Sequence, residues 1–598
     1  MLRGFRWQLV VLVSALTLFV VALASRPETN PVVPAPTATT ELLAVLTSEP
    51  EITVIAPTPA PVVEILPATS EIATYTEALV GSIQRLNPLL AGLNPVDDDI
   101  TSLIFEGLTR ANEYGEPVPA LAKEWVISSD GLEYVVRLRD DVLWQDGVPF
   151  TAADVLYTVS LLQSPDFPGP ADLGKFWRTV EVQYLNDHLV RFRLTQPLAQ
   201  FLDMLRLGLL PEHALRGTTA AQLADHTFNL TPIGTGPYQL EALHSTDGSR
   251  LNVVDLRAAP VYRQRPEGQS GYQADRFRFQ VYDSFEAALA ALQAGQVDGL
   301  AARNTQERLA LVSVPGINIQ TQIEPTLGVL IFNWAKDETR FFREQRVRLA
   351  LMTGLDRNGI IERHLPNMAV PANSPLFPGS WAYTADLPWP PPDATAARAL
   401  LENARPLRSS TSEATAEATA ETTPEVTSNA LYHFVLLVPD TPALVSLAQE
   451  IAAQWSQLNL AVTVESAPPE QYQTRLDNGD FGAAIVEFSL GDSADPDMYP
   501  FWDEGQYPDG LNYGGINDRR ISEDLERARS DANGINRAIH YQNFQQSFIE
   551  RAIAIPLYYP LYTYATNSRI TGVQLGFIGS PASRFYTLKN WSLTTQAQ

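Results

Sequence analysis

The segment Leu431 to Glu465, LYHFVLLVPDTPALVSLAQEIAAQWSQLNLAVTVE, decides the fold class. Its first part, Leu431 to Val438, is a short apolar run rich in β-branched and aromatic residues, which reads as a buried strand. A helix over Pro442 to Leu458 and a strand over Ala461 to Glu465 follow. Strand, helix and strand in that order make a βαβ unit in a partly parallel sheet. The fold class is therefore α/β.

The same mixture extends on both sides. Tyr134 to Leu138 (YVVRL) and Leu189 to Leu194 (LVRFRL) read as strands. Thr151 stands three residues before Asp154 at the head of an apolar run through Leu162, the arrangement of a capping box, so a helix begins there. Phe285 to Ala294 and Arg346 to Met352 read as helices. Asp130-Gly131 and Asp146-Gly147 are tight-turn pairs beside strands. In Gly234-Thr-Gly-Pro-Tyr238 the glycines permit positive φ and the proline fixes a bend, giving a rigid turn into a strand. No Lys-Ser/Thr follows it, so it is not a phosphate loop.

Two stretches depart from this pattern. Residues 405–429 contain SSTSEATAEATAETTPEVTS (Ser409 to Ser428), nearly free of aliphatic residues, and read as a low-complexity insertion. Residues 26–70 read as a Pro/Thr-rich tether. Before the tether, Arg3 and Arg6 precede Leu9 to Ala24, a run diluted only by Ser14 and Thr17 and ending small-x-small at Ala22 and Ala24. Residues 1–25 are thus an export signal, on the border between a cleaved signal peptide and an uncleaved membrane anchor. Positive charges ahead of the apolar run place the remainder of the chain outside the cytoplasm.

Composition narrows the function. The chain has 598 residues, 42 Lys plus Arg against 68 Asp plus Glu, and a formal charge of −26, which repels nucleic-acid phosphates. There is no cysteine. Thiol nucleophiles, disulfides, Cys-ligated metal and a lipid-anchoring cysteine are excluded together. The seven histidines are scattered, and neither H-E-x-x-H nor G-x-S-x-G occurs, so the sequence reads as a non-enzyme without cofactor or metal.

The order of short words along the chain carries a resemblance. Asn87-Pro88-Leu89, Leu103-Ile-Phe-Glu-Gly-Leu108, Pro119-Ala-Leu-Ala-Lys-Glu-Trp125, Trp144-Gln-Asp-Gly147 and Pro149-Phe-Thr-Ala-Ala-Asp-Val155 come first. Pro232-Ile-Gly-Thr-Gly-Pro-Tyr238, Gly295-Gln-Val-Asp298, Phe332-Asn333, Arg346-Val-Arg-Leu-Ala350 and Asp356-Arg357 come later. This series resembles the family 5 extracellular solute-binding proteins, the oligopeptide and dipeptide receptors of ABC importers, over Glu71 to Trp591.

The resemblance implies a two-lobed periplasmic-binding-protein-like fold of the large peptide-binding class, with a central cleft. Lobe I would comprise residues 71–325 and 557–598, with a β-rich subdomain over about 111–230, and lobe II residues 326–556. The chain would cross between them near 325–328 and 555–558. The implied partners are a peptide ligand, permease subunits with a cytoplasmic ATPase, and the membrane through the N-terminal segment. The receptor itself would be monomeric.

For ligand contact the most informative stretch is Glu487 to Trp502, EFSLGDSADPDMYPFW. It resembles the family segment whose aspartate pairs with a peptide's α-ammonium, which places that role on Asp492, or on Asp495 if the register slips. Turn-forming, solvated acids are the alternative reading. Trp334, Trp381, Tyr383, Tyr499, Trp502 and Tyr513 are aromatic candidates for a pocket, since flat rings join apolar area to a polar tip. Asn333 lies where the chain re-enters the second lobe. The same architecture serves other solutes, such as oligosaccharides, and sensory receptors; nickel is disfavoured because no histidines cluster here.

Overall fold

In the computed structural model the chain divides into residues 1–70 and 71–598. The structure describes residues 72–404 and 430–594, apart from 247, 249, 267–271, 492 and 532. The export signal, the tether, the 405–429 insertion and Asp492 lie outside the described residues.

Twelve strands join into one sheet among the described residues. In chain order they are β1 (Thr74–Val80), β2 (Tyr238–His244), β3 (Val253–Ala258), β4 (Arg276–Tyr282), β5 (Gly299–Ala302) and β6 (Ile317–Ile323). Then come β7 (Thr326–Phe332), β8 (Ala369–Pro371), β9 (His433–Pro439), β10 (Ala461–Ala467), β11 (Ala483–Ser489) and β12 (Ile555–Asn567). The spatial order is β10-β9-β11-β7-β12-β5-β1-β4-β3-β2, with β6 and β8 also paired to β12.

The βαβ unit of Leu431 to Glu465 forms as expected. β9 and β10 run parallel, from His433 beside Ala461 to Pro439 beside Ala467. The helix Pro442–Ser456 between them buries Leu447, Ala448, Ile451 and Trp455, one face at helical spacing. Trp455 fixes this helix further by donating its indole N–H to the Leu351 carbonyl at 3.0 Å. β4 shows the other periodicity: Phe277, Phe279 and Val281 are buried, while Arg278 on the opposite face pairs with Asp255 directly across on β3. β7 is buried along nearly its whole length, as a strand covered on both faces must be.

Side-chain burial separates the molecule into distinct cores. One contains residues from Leu327 to Tyr559. Two others draw on residues from Tyr75 to Leu311 and again from Tyr562 to Trp591. We call the latter pair lobe I and the former lobe II. Residues 111–230 contribute a four-stranded sheet of Ala122–Ile127, Glu133–Leu138, Leu189–Arg193 and Glu181–Asn186, with helices beside it. They pack into the larger lobe I core rather than forming one of their own.

β12 belongs to both lobes. Its first residues pair with β7, Leu330 beside Ile555 and Gly328 beside Tyr558. Its later residues pair with β6, Ile323 beside Leu561 through Ile317 beside Asn567. The chain therefore crosses twice side by side, at Glu324 to Thr326 and at Tyr559 to Leu561, joined by the Glu324 N–H donating to the Pro560 carbonyl at 2.9 Å. The second crossing falls just beyond the expected 555–558, because β7 holds Tyr558 and the residues before it in the lobe II ladder.

The turn signals hold in part. The Thr151 capping box with Asp154 is present, and Gly131 and Gly147 have positive φ. Gly234 and Gly236 do not, so their need for glycine has a different cause. A Cβ on Gly234 would lie 1.8 Å from the Ile104 carbonyl oxygen, and one on Gly236 2.7 Å from the same oxygen. Close backbone approach, sealed by Gln145 donating to the Gly236 and Tyr238 carbonyls, replaces conformational freedom as the reason. Gly234→Ala should accordingly cost about 1–3 kcal/mol or more in urea unfolding. Gly534→Ala, at a helix start with nothing within 4 Å, should change stability little.

Candidate functional site

A cleft of about 320 Å³ lies where the two crossings meet, lined by Val80, Ala302, Glu324, Pro325, Ser489 and Arg584 among others. Val80 and Ala302 end the parallel strands β1 and β5. Ser489 ends β11, which runs parallel to β9 in the other lobe. Parallel strands of both lobes thus deliver their carboxyl ends to one place, where α/β sheets place their ligands.

The wall on the lobe I side is set by a buried ion cluster. Arg584, wholly buried, donates to Glu77 at 2.8 Å and to Asp99 at 2.6 Å. The Tyr564 hydroxyl donates to the other oxygen of Glu77 at 2.7 Å. Burial pushes the Glu77 carboxyl up, against the pull of Arg584 and Tyr564. Gly299 completes the packing, since a Cβ there would lie 2.0 Å from the Tyr75 hydroxyl and 2.2 Å from Glu77.

The structure gives the sequence candidates other work. Asp495 is buried and accepts two bonds from Arg537 Nη2, at 2.8 and 2.6 Å. It is neither a solvated turn former nor free for an ammonium, because the guanidinium already holds its carboxylate. Asp497 is likewise buried and pairs with Arg529 at 3.2 Å. Asn333 uses both ends of its amide on the main chain, donating to Gly479 and Phe481 and accepting from Ala335 and Lys336. Trp334 and Trp502 are core residues, the first covered by Arg348 at 4.0 Å and the second edge-on to Phe488 and Phe548.

Of the remaining aromatics, two lie over the same arginines. Arg537 lies 5.2 Å from the ring centre of Trp381, and Arg529 lies 4.6 Å from that of Tyr499. Tyr513 stacks on Phe488, the ring that Trp502 also meets. Tyr383 packs at the edge of the lobe II core, with its hydroxyl pushed up by burial. None of these nine residues lines the cleft at the crossings.

Close to Asp495 in the chain, lobe II reaches the other lobe. The Ser493 hydroxyl donates to Asp203 of lobe I at 2.8 Å. Asp203 also pairs with Arg206. Burial pushes its carboxyl up to about 6, against Arg206 and the Ser493 hydroxyl, with Asp495 adding to the rise. Sequence reading missed Asp203 because its partner is 290 residues away. Glu324 and Arg584 were missed for the same reason: only the folded sheet brings them to one cleft.

Known proteins share this architecture. The family model described as "Bacterial extracellular solute-binding proteins, family 5 Middle" matches residues 116–509. The oligopeptide-binding protein AppA of Bacillus subtilis is 25% identical over 529 residues, covering 86% of this chain and 91% of that protein. The dipeptide-binding protein of Escherichia coli is 23% identical, covering 72% and 78%. In fold the chain is similar to NikZ from Campylobacter jejuni, solved in complex with Ni(L-His), with a TM-score of 0.64, 24% identity and coverage of 87% and 99%. Among the described residues no three His, Asp or Glu are grouped to hold a metal ion.

The interlobe surface gives two expected outcomes. Arg537→Met strands Asp495 in a buried site and should lower unfolding free energy by about 3–5 kcal/mol, measured in urea. Asp203 binds its proton more tightly folded than unfolded, so its ionisation lowers stability as pH rises from about 4 through about 6. Asp203→Asn should shrink the difference in unfolding free energy between pH 4 and pH 7 by up to about 3 kcal/mol.

Proposed function

The chain belongs to the family 5 bacterial extracellular solute-binding proteins, and on that premise we propose that it captures peptides between its two lobes and delivers them to the permease of an ABC importer. The observation that carries this reading is the cleft at the double crossing. A solute held there touches residues of both lobes and the hinge segment itself, so its contacts differ between open and closed arrangements. That difference is what lets a ligand drive closure.

Peptide is the solute class that the oligopeptide- and dipeptide-binding relatives suggest. In this reading the protein is a monomer outside the cytoplasm and catalyses no reaction. The apolar run of Leu9 to Ala24 tethers it to the membrane through the Pro/Thr-rich stretch of residues 26–70. The permease, with its ATPase on the cytoplasmic side, is the partner.

A thermal-shift screen of the purified chain against di-, tri- and oligopeptides, with oligosaccharides in parallel, tests the reading. A peptide at a hundred times its Kd should stabilise the protein by about 2.7 kcal/mol. Stabilisation by sugars alone would keep the two-lobed receptor and discard the peptide.

A further inference from the structure

The geometry points to a second tie between the lobes, a proton-sensitive clasp in which Asp203 of lobe I governs how firmly Ser493 and Ala494 of lobe II stay docked. It goes beyond solute capture, because it acts whether the cleft is filled or empty. None of its residues lines that cleft.

The lobe I half joins two pieces of chain. Asp203 sits in the short helix Phe201–Met204, which Phe201 anchors in the core. Arg206 ties this helix to the turn of residues 112–116, since it pairs with Asp203 and donates to the Gly115 carbonyl at 2.6 Å. The turn is closed by the Asn112 side chain, which accepts the Tyr114 and Glu116 N–H groups, both at 2.9 Å. Gly115 has a φ of +81°, and lobe II comes up against it: a Cβ there would lie 2.7 Å from the Ala494 Cβ. One residue earlier the Ser493 hydroxyl donates to Asp203 at 2.8 Å and accepts the Asp495 N–H at 3.0 Å. Ser493 and Ala494 thus rest on two surfaces of lobe I that Arg206 holds together.

The charged groups facing Asp203 come from both lobes, Arg206 beside it and Asp495 and Arg537 across from it. Tyr134, which meets the same helix through Phe201, keeps its hydroxyl on the Leu198 carbonyl and is pushed up by burial to about 12. The acids of the turn are engaged elsewhere, Glu116 with Asn112 and Glu113 with Tyr586. Lobe II acts on Asp203 in both senses. Ser493 and Arg537 favour the carboxylate, while Asp495 opposes it; the exclusion of water also opposes it, is the largest influence, and leaves the carboxyl up at about 6. Undocking returns water to Asp203 and takes Asp495 away, whereas Arg206 stays on the same lobe to hold the carboxylate. The docked arrangement therefore binds the proton more tightly than the undocked one. By linkage its share grows as pH falls from about 7 to about 5, and shrinks as pH rises through about 6.

The test reads the lobes directly. The chain has no cysteine, so spin labels attached through Asp172→Cys in lobe I and Asn543→Cys in lobe II, both exposed positions, are the only ones present. Double electron–electron resonance on the purified full chain, with no solute added, then gives the ratio of short to long interlobe distances. That ratio should rise about tenfold from pH 7 to pH 5. In Asp203→Asn, whose amide cannot ionise, it should stay at its acid value at both pH values. Ser493→Ala should lower it at pH 7, where the hydroxyl answers an ionised Asp203. A flat wild-type profile, a single distance at every pH or a ratio that rises with pH overturns the clasp, whatever the variants do. So do a wild-type slope that survives Asp203→Asn and an unchanged ratio in Ser493→Ala.

Discussion

Everything in this molecule hangs on one strand shared by two cores. β12 is part of the lobe II ladder at its start and of the lobe I ladder at its end. A strand cannot leave a ladder without abandoning main-chain hydrogen bonds, so the lobes cannot separate without breaking the sheet. At the crossing Pro560 has no N–H to give; its carbonyl accepts the Glu324 N–H, and β8 continues the pairing on the other side of β12, with Ala369 beside Pro560.

Of the chain's 68 acidic residues, several are buried against arginines inside one lobe. Glu77 and Asp99 share Arg584, Asp298 has Arg569, Asp495 has Arg537 and Asp497 has Arg529. Buried pairs of this kind fix geometry more than they add stability. Asp203, which meets Ser493 across the lobes, and Glu324, on the crossing, have carboxyls pushed up by burial to about 6 and about 7.

How much of this could be read from the chain depends on the range of the interactions. The βαβ unit of Leu431 to Glu465 was legible because period, length and breaks are local, and so was the Thr151 capping box. The family resemblance extended that reading to the double crossing, since word order survives where single residues drift. Gly234 and Gly236 show the limit, for the residues were right and the reason was not: whether a glycine serves φ or a neighbouring carbonyl is decided by Ile104, far away in sequence. Asp495 shows it more sharply. An aspartate among aromatics looks the same whether it awaits a ligand or already holds Arg537, 42 residues on.

The place of the cleft then links recognition to motion. A solute that touched one lobe alone would stabilise that lobe and leave the equilibrium between lobe arrangements where it was, because equal affinity for two states shifts neither. The cleft at the crossings is lined by Val80 and Ala302 of lobe I, by Ser489 of lobe II and by Glu324 and Pro325 of the crossing itself. Contacts made there depend on the angle between the lobes, and a solute that gains more of them in one arrangement favours that arrangement.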